Sequence, residues 1–235
     1  NFTKKKKWNI GKFEIVGSLS ASLCKEYIDL NKKKINSEKF DICLLGEAHP
    51  HVGPGSDYPH VENFAEAVGK IAEYTHRLCK KNKLNLIFTG KRILNEDDGK
   101  LEILFYKKYI EEYDYKISQA ISRNKSRNEF FSYQNVMESK LVIGHISTML
   151  REAITFDKKV LQCNFTGHPD IIFPGNDLCI LKNTSYDLFE EKVLEILHME
   201  KEEYFKRLGS QKKIIMDFSK NTAEVIRKKL KDYLI

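Results

Sequence analysis

No apolar run in these 235 residues approaches the ~18 needed to cross a bilayer. No secretory pattern opens the chain either, where KKKK precedes a Trp and then polar residues. The sequence therefore does not read as a membrane-spanning or exported protein. Its cysteines lack a framework. Cys24, Cys43, Cys79, Cys163 and Cys179 are odd in number and widely spaced, and three lie inside apolar runs. They read as reduced, buried thiols of a cytoplasmic protein, not as disulfides or zinc ligands. No dense basic stripe with interleaved aromatics is present, which argues against nucleic acid as a partner. No G-x-G-x-x-G follows any apolar run, which ranks an NAD-dependent enzyme low. Repeats and low-complexity segments are absent beyond short lysine runs.

What is present is a core-forming composition, 41% hydrophobic, with a net charge of +7. The lysine clusters at 4–7, 32–34 and 227–231 read first as solvated faces. A peripheral contact with the inner, anionic face of a membrane is the sharper alternative. The length fits one large domain or somewhat more. The chain begins at Asn1 and not at Met, so it reads as a piece of something longer.

Short apolar runs alternate with amphipathic stretches. FEIVGS (13–18), FDICLLGE (40–47), NLIFTG (85–90), KISQA (116–120), KLVIGH (140–145), KVLQCNF (159–165) and DLCILKN (177–183) have strand length and content. Helices are expected at 20–31, 61–82, 100–113, 130–139, 147–157, 185–199 and 222–235. Continuous apolar strands alternating with helices imply an α/β fold: a doubly wound, mostly parallel Rossmann-like sheet with helices on both faces. Residues 1–38 read as a linker or the tail of a preceding domain, and 39–235 as the Rossmann-like domain.

In such sheets ligands lie outside the carboxyl ends of the strands, so chemistry is sought just after each one. The first exit, GEAHPHVGPGSDYPHVEN, is long for an α/β unit and carries Glu47, His49, His51 and His60. The histidine spacing fits no common zinc pattern, so hydrogen bonding to phosphate or acceptor is the preferred reading, beside bland loop residues. Gly90, Lys91 and Arg92 leave the second strand, where a close backbone and two cations suit phosphate; a polar turn that happens to be basic is the equal alternative. Arg123 and Arg127 read as a solvated loop. GHISTMLREA (144–153) is the strongest signal. Gly144 and His145 give a tight exit, and Ser147 and Thr148 open a helix whose free N–H groups suit an anion. Glu152, one turn on, suits the hydroxyls of a ribose. A helix cap at Ser147 and Thr148 and a surface role for Glu152 are the plain alternatives. Asn164, Thr166, Gly167 and His168 form a further exit.

The strand, Ser-Thr, helix, Glu-Ala and Lys-Val order in GHISTMLREAITFDKKVLQCNF resembles the C-terminal, nucleotide-sugar-binding half of GT-B glycosyltransferases. It is most similar to the bacterial surface-carbohydrate group related to capsule and Kdo transferases, over residues 13–235. FEIVGSLSAS and FSYQNVMESKLVIGHIST fit the same group. The resemblance implies a cytoplasmic transferase that moves a sugar from a nucleotide-sugar donor to a glycan acceptor in surface polysaccharide biosynthesis. It implies no metal and no cofactor, and an N-terminal domain or other subunit as partner. It implies that Ser147 and Thr148 contact donor phosphate, that Lys91 or Arg92 balances its charge and that Glu152 contacts ribose; Gly90, Gly144, His145 and Asn164 are taken with them as donor-binding. Glu47 and His49 are the candidates for the base. The retaining pattern of two Glu eight apart is absent, since 160 is Val and 144 is Gly. A nucleotide-sugar epimerase of GT-B-like fold and a non-catalytic nucleotide-binding module are the competing readings.

Overall fold

The structure is a computed structural model that describes residues 18–30, 38–47, 63–91, 97–110, 116–118, 131–169, 171, 173–182, 184–215 and 222–233. The run expected as a strand at 13–18 lies almost wholly outside them. Helix α1 (Leu19–Leu30) comes first, then β1 (Phe40–Leu45), α2 (Phe64–Asn82), β2 (Leu86–Thr89), α3 (Asp97–Tyr106) and β3 (Lys116–Ser118). There follow α4 (Phe131–Met137), β4 (Ser139–Gly144), α5 (Thr148–Thr155), β5 (Lys159–Cys163), β6 (Ile180–Leu181) and α6 (Tyr186–His198). The last elements are α7 (Lys201–Leu208), α8 (Gln211–Ile215) and α9 (Thr222–Tyr233).

The strands form one six-stranded sheet in the order β3-β2-β1-β4-β5-β6, every pair parallel. This is the doubly wound order that reverses direction between β1 and β4, and the reversal opens a crevice at their carboxyl ends. The apolar runs of β1, β4 and β5 are continuous because both faces are covered. Ile42, Cys43, Leu141, Val142, Ile143, Val160 and Leu161 are all fully buried. Helix α2 covers one face with Phe64, Ala67, Val68, Ile71, Ala72, Thr75, Leu78 and Cys79, a stripe at helical period. Lys83 then ends it in the left-handed conformation, its N–H on the Cys79 carbonyl.

Two helices were not legible as such. The stretch KEEYFKRL carries three apolar residues, yet it forms α7 and buries Tyr204 completely. The Tyr204 hydroxyl donates to the Val160 carbonyl (2.8 Å) and accepts the Val160 N–H (3.2 Å). One side chain thus closes polar groups of β5. The short α8 is the second. Strand β6 is two residues long, where a run of seven was expected.

The amino end of the sheet is tied by a buried cation. Lys159, 8% exposed, donates from Nζ to the carbonyls of Ile196 (2.7 Å), Leu197 (2.9 Å) and Met199 (2.7 Å). These are the free carbonyls of the last turn of α6, where the helix dipole favours positive charge. Replacing Lys159 by Met keeps the buried stem and strips the carbonyls of their donor. The expected loss is about 2–3 kcal/mol of stability, read from the midpoint of urea unfolding.

Candidate functional site at the sheet reversal

Among the described residues, one side chain bridges the ends of β1 and β4 across the crevice. Glu47, two residues beyond β1 and 6% exposed, accepts hydrogen bonds from three consecutive amides of the β4–α5 turn. Its Oε1 takes the N–H of His145 (2.8 Å) and of Ser147 (3.0 Å), and its Oε2 takes that of Ile146 (2.6 Å). The Glu47 N–H in turn donates to the Tyr106 hydroxyl oxygen of α3 (2.9 Å). Gly144 is required here by contact: a Cβ would lie 2.8 Å from Glu47 Oε1 and 3.3 Å from Leu150. Burial drives the Glu47 carboxyl up to about 7, against the pull of the three amides and the Lys91 cation.

The two neighbouring exits, Gly46 and Gly90, sit against a second buried acid. Glu102 of α3 is 1% exposed, and its Oε1 accepts the Lys91 N–H at 3.0 Å. A Cβ on Gly46 would meet that oxygen at 2.8 Å. Lys91 itself is an exposed residue at the rim.

Ser147 is the N-cap of α5, its hydroxyl oxygen accepting the Met149 N–H at 3.3 Å, and Thr148 is exposed at the first helical position. The His145 ring is buried and tilts against Phe64 at 5.3 Å. Its Nδ1 donates to the Cys163 carbonyl (2.6 Å), which fixes the tautomer and leaves Nε2 a lone-pair acceptor with no partner. Burial lowers its pKa, so the ring is neutral at neutral pH. Gln162, facing Gly144 across the ladder, donates its amide to the His145 carbonyl (2.8 Å) and leaves Oε1 unpartnered.

Three sequence-derived roles meet different geometry. Glu47, expected as a base, is tied up by three amides. Glu152, expected on ribose, is 7% exposed and both its oxygens are taken within the chain. Ser18 donates to Oε1 and Tyr133 to Oε2, each at 2.6 Å. Ser18 also accepts the Ala21 N–H (3.1 Å), so Glu152 joins α5 to α4 and to the start of α1. Asn164, expected at the donor, spends its amide on the carbonyls of Ile171 (2.9 Å) and His168 (3.3 Å). Its oxygen accepts the Thr166 hydroxyl at 2.8 Å, so it shapes its own loop. His49, His51, His60, Arg92, Arg123 and Arg127 lie outside the described residues. Glu102, Tyr106, Tyr133 and Gln162 were missed. The four-residue step from Glu102 to Tyr106 is the one sequence signal that put two of them on a common helical face. Among the described residues no group of three or more His, Cys, Asp or Glu is arranged to hold a metal ion, and no helix is long and apolar enough to cross a membrane.

No protein-family model matches the chain, and no curated protein does. Solved structures match it in fold. A UDP-GlcNAc 2-epimerase of Methanocaldococcus jannaschii, in complex with UDP-GlcNAc and UDP, superposes with a TM-score of 0.57 at 13% identity, over 97% of this chain and 57% of that one. The Neisseria meningitidis UDP-GlcNAc 2-epimerase bound to UDP-GlcNAc gives 0.51 at 15% identity, over 97% and 57%. A putative UDP-N-acetylglucosamine 2-epimerase of Listeria monocytogenes gives 0.51 at 13%, over 93% and 53%. The chain spans little more than half the length of these proteins. Its fold is therefore a Rossmann-like half of a GT-B architecture.

Two outcomes test the site as described. Phe at Tyr133 leaves a buried Glu152 oxygen without its donor and is expected to lower stability by about 1–3 kcal/mol. Since the Glu47 pKa is raised on folding, its contribution is present below the unfolded value and lost as pH rises through about 7. Between pH 5 and pH 8 this group withdraws roughly 2 kcal/mol, a slope that Glu47→Gln should abolish. Denaturant midpoints across that range, taken on both proteins, decide it.

Proposed function

We propose that this chain is the nucleotide-binding half of an enzyme that acts on a nucleotide sugar. An epimerase of the UDP-sugar type is the better supported chemistry, and glycosyl transfer to a surface-glycan acceptor is the second. The observation that carries the reading is the convergence of exits at the reversal between β1 and β4. There Gly46, Gly90, Lys91, Gly144 and the opening turn of α5 come together, in a sheet whose fold neighbours are UDP-GlcNAc 2-epimerases.

In this reading the diphosphate lies over the β4–α5 turn. Glycine exits let the backbone close in, helix N–H groups supply donors, and Lys91 balances charge from the rim. Thr148, exposed at the first position of α5, adds a hydroxyl. Glu152 holds α5 in place through Ser18 and Tyr133 and takes a positioning role, with ribose left to other groups. The rest of the sugar site and the base are assigned to the part of the longer protein that faces this crevice. Transfer is favoured by the local likeness of GHISTMLREA to capsule and Kdo transferases. Epimerisation is favoured by the fold neighbours that hold UDP-GlcNAc.

Thermal-shift titration with UDP, UDP-GlcNAc, CDP, CMP, GDP and NAD separates these. A uridine nucleotide at a hundredfold excess over its dissociation constant is expected to add about 2.7 kcal/mol, and NAD nothing. Thr148→Ala and Lys91→Ala should weaken that response several-fold. Absence of any nucleotide response would remove the reading. With the longer protein and UDP-GlcNAc alone, appearance of the C2 epimer selects epimerase; turnover only on adding a glycan selects transferase.

A further inference from the structure

The best-formed anion cradle in the described structure already contains an anion that belongs to the chain. Three successive amides, His145, Ile146 and Ser147, converge on the Glu47 carboxylate at the N-terminus of α5. Successive N–H groups and a helix N-terminus are the donors that hold oxyanions. Next to the cradle stands a group with the opposite need. Gln162 is 1% exposed, is anchored to the His145 carbonyl, and keeps an unpartnered acceptor, Oε1. It faces Gly144 in the ladder, and Glu47 Oε1 closes on that same glycine. Gln162 thus brings a buried acceptor to the strand that leads into the cradle, a place for a hydroxyl proton.

We infer that Glu47 is a latch that occupies the phosphate cradle and must give it up for a nucleotide to bind, so that binding is coupled to a proton. The inference rests on the nucleotide reading for the identity of the ligand, while the latch itself stands on the geometry above. The charged and titratable neighbours among the described residues bear on the exchange. From the exit of β2, the Lys91 cation holds Glu47 in its charged form. From β5, the Cys163 thiol is pushed up by burial and by Glu47. From α3 come the Tyr106 hydroxyl and the Glu102 carboxyl that lies against Gly46. His145 is neutral through burial, and its ring is engaged with Cys163. Among these, Glu47 is the acid whose removal frees three amides at once.

Sulfate tests this, because it stays divalent over the whole pH range. Calorimetric titration is made on the wild type, Glu47→Ala and Glu47→Gln at pH 6, 7 and 8. At pH 8 Glu47→Ala is expected to bind sulfate at least tenfold more tightly than the wild type, without pH dependence. The wild-type affinity should rise about tenfold from pH 8 to pH 6, as a group titrating near 7 releases the cradle. If Glu47→Ala does not fold, Glu47→Gln and the wild-type pH series carry the test. A folded variant that binds sulfate no better than the wild type, or a flat wild-type series, overturns the latch. UDP run in parallel keeps the two readings apart. Equal UDP affinity in wild type and variant at pH 8 removes the latch and leaves the nucleotide site. The expected sulfate pattern with no UDP response removes the nucleotide and leaves the latch.

Discussion

A single carboxylate clasped by three consecutive amides is the constraint on which this end of the molecule depends. The sheet reverses its winding between β1 and β4, and at that line the flanking loops diverge to opposite faces. Past the last paired residues of that ladder, Leu44 and Ile143, something else must hold the diverging exits together. Glu47 does so from the β1 side, by capturing the turn that starts α5. Its closeness explains why residue 144 has no side chain, and its own N–H on Tyr106 extends the tie to α3. The three amides lower the cost of burying this carboxyl, and burial still outweighs them, holding it up at about 7.

Glu152 repeats the device one layer out. Ser18, Tyr133 and the carboxylate form a bridge across α1, α4 and α5, and Cys24, Ile28 and Tyr133 make a small apolar cluster beneath it. Ser22 and Thr222 exchange hydrogen bonds and bring α9 to the same place. The start and the end of the described chain are thereby fastened to the helix whose N-terminus faces the crevice. Packing, not the cap alone, fixes where that helix points.

Much of this was legible from residue pattern, and the failures have a common cause. Continuous apolar runs located β1, β2, β4 and β5, because a strand buried on both faces needs them. The 3.6 period located α2 and α6. Helix α7 was hidden because three apolar residues suffice when one of them is a tyrosine that reaches the sheet. At the site, Gly144, His145, Ser147 and Thr148 were placed correctly at a strand exit and a helix start. The partners of Glu47 were not readable, since they lie 98 to 100 residues away in sequence. The partners of Glu152 were hidden for the same reason. An acid on the first turns of a helix looks available until Ser18 and Tyr133 are seen to hold it.

The sign of the charges completes the physical picture. The chain carries a net charge of +7, yet its described carboxyl-end core buries three acids: Glu47, Glu102 and Glu152. The compensation shown is a set of hydrogen-bond donors: three backbone amides for Glu47, the Lys91 N–H for Glu102 and hydroxyls for Glu152. The opposite arrangement holds at the amino end, where Lys159 is satisfied by carbonyls of α6. Glu47 and Lys159 thus each match side-chain charge to the local backbone dipole, the acid where N–H groups point and the cation where C=O groups point. A binding end that is already neutralised by its own acid attracts an anionic ligand less than an open helix terminus would. Its affinity then depends on how readily that acid can be protonated or moved, which makes Glu47 the residue through which stability and binding at this crevice are traded.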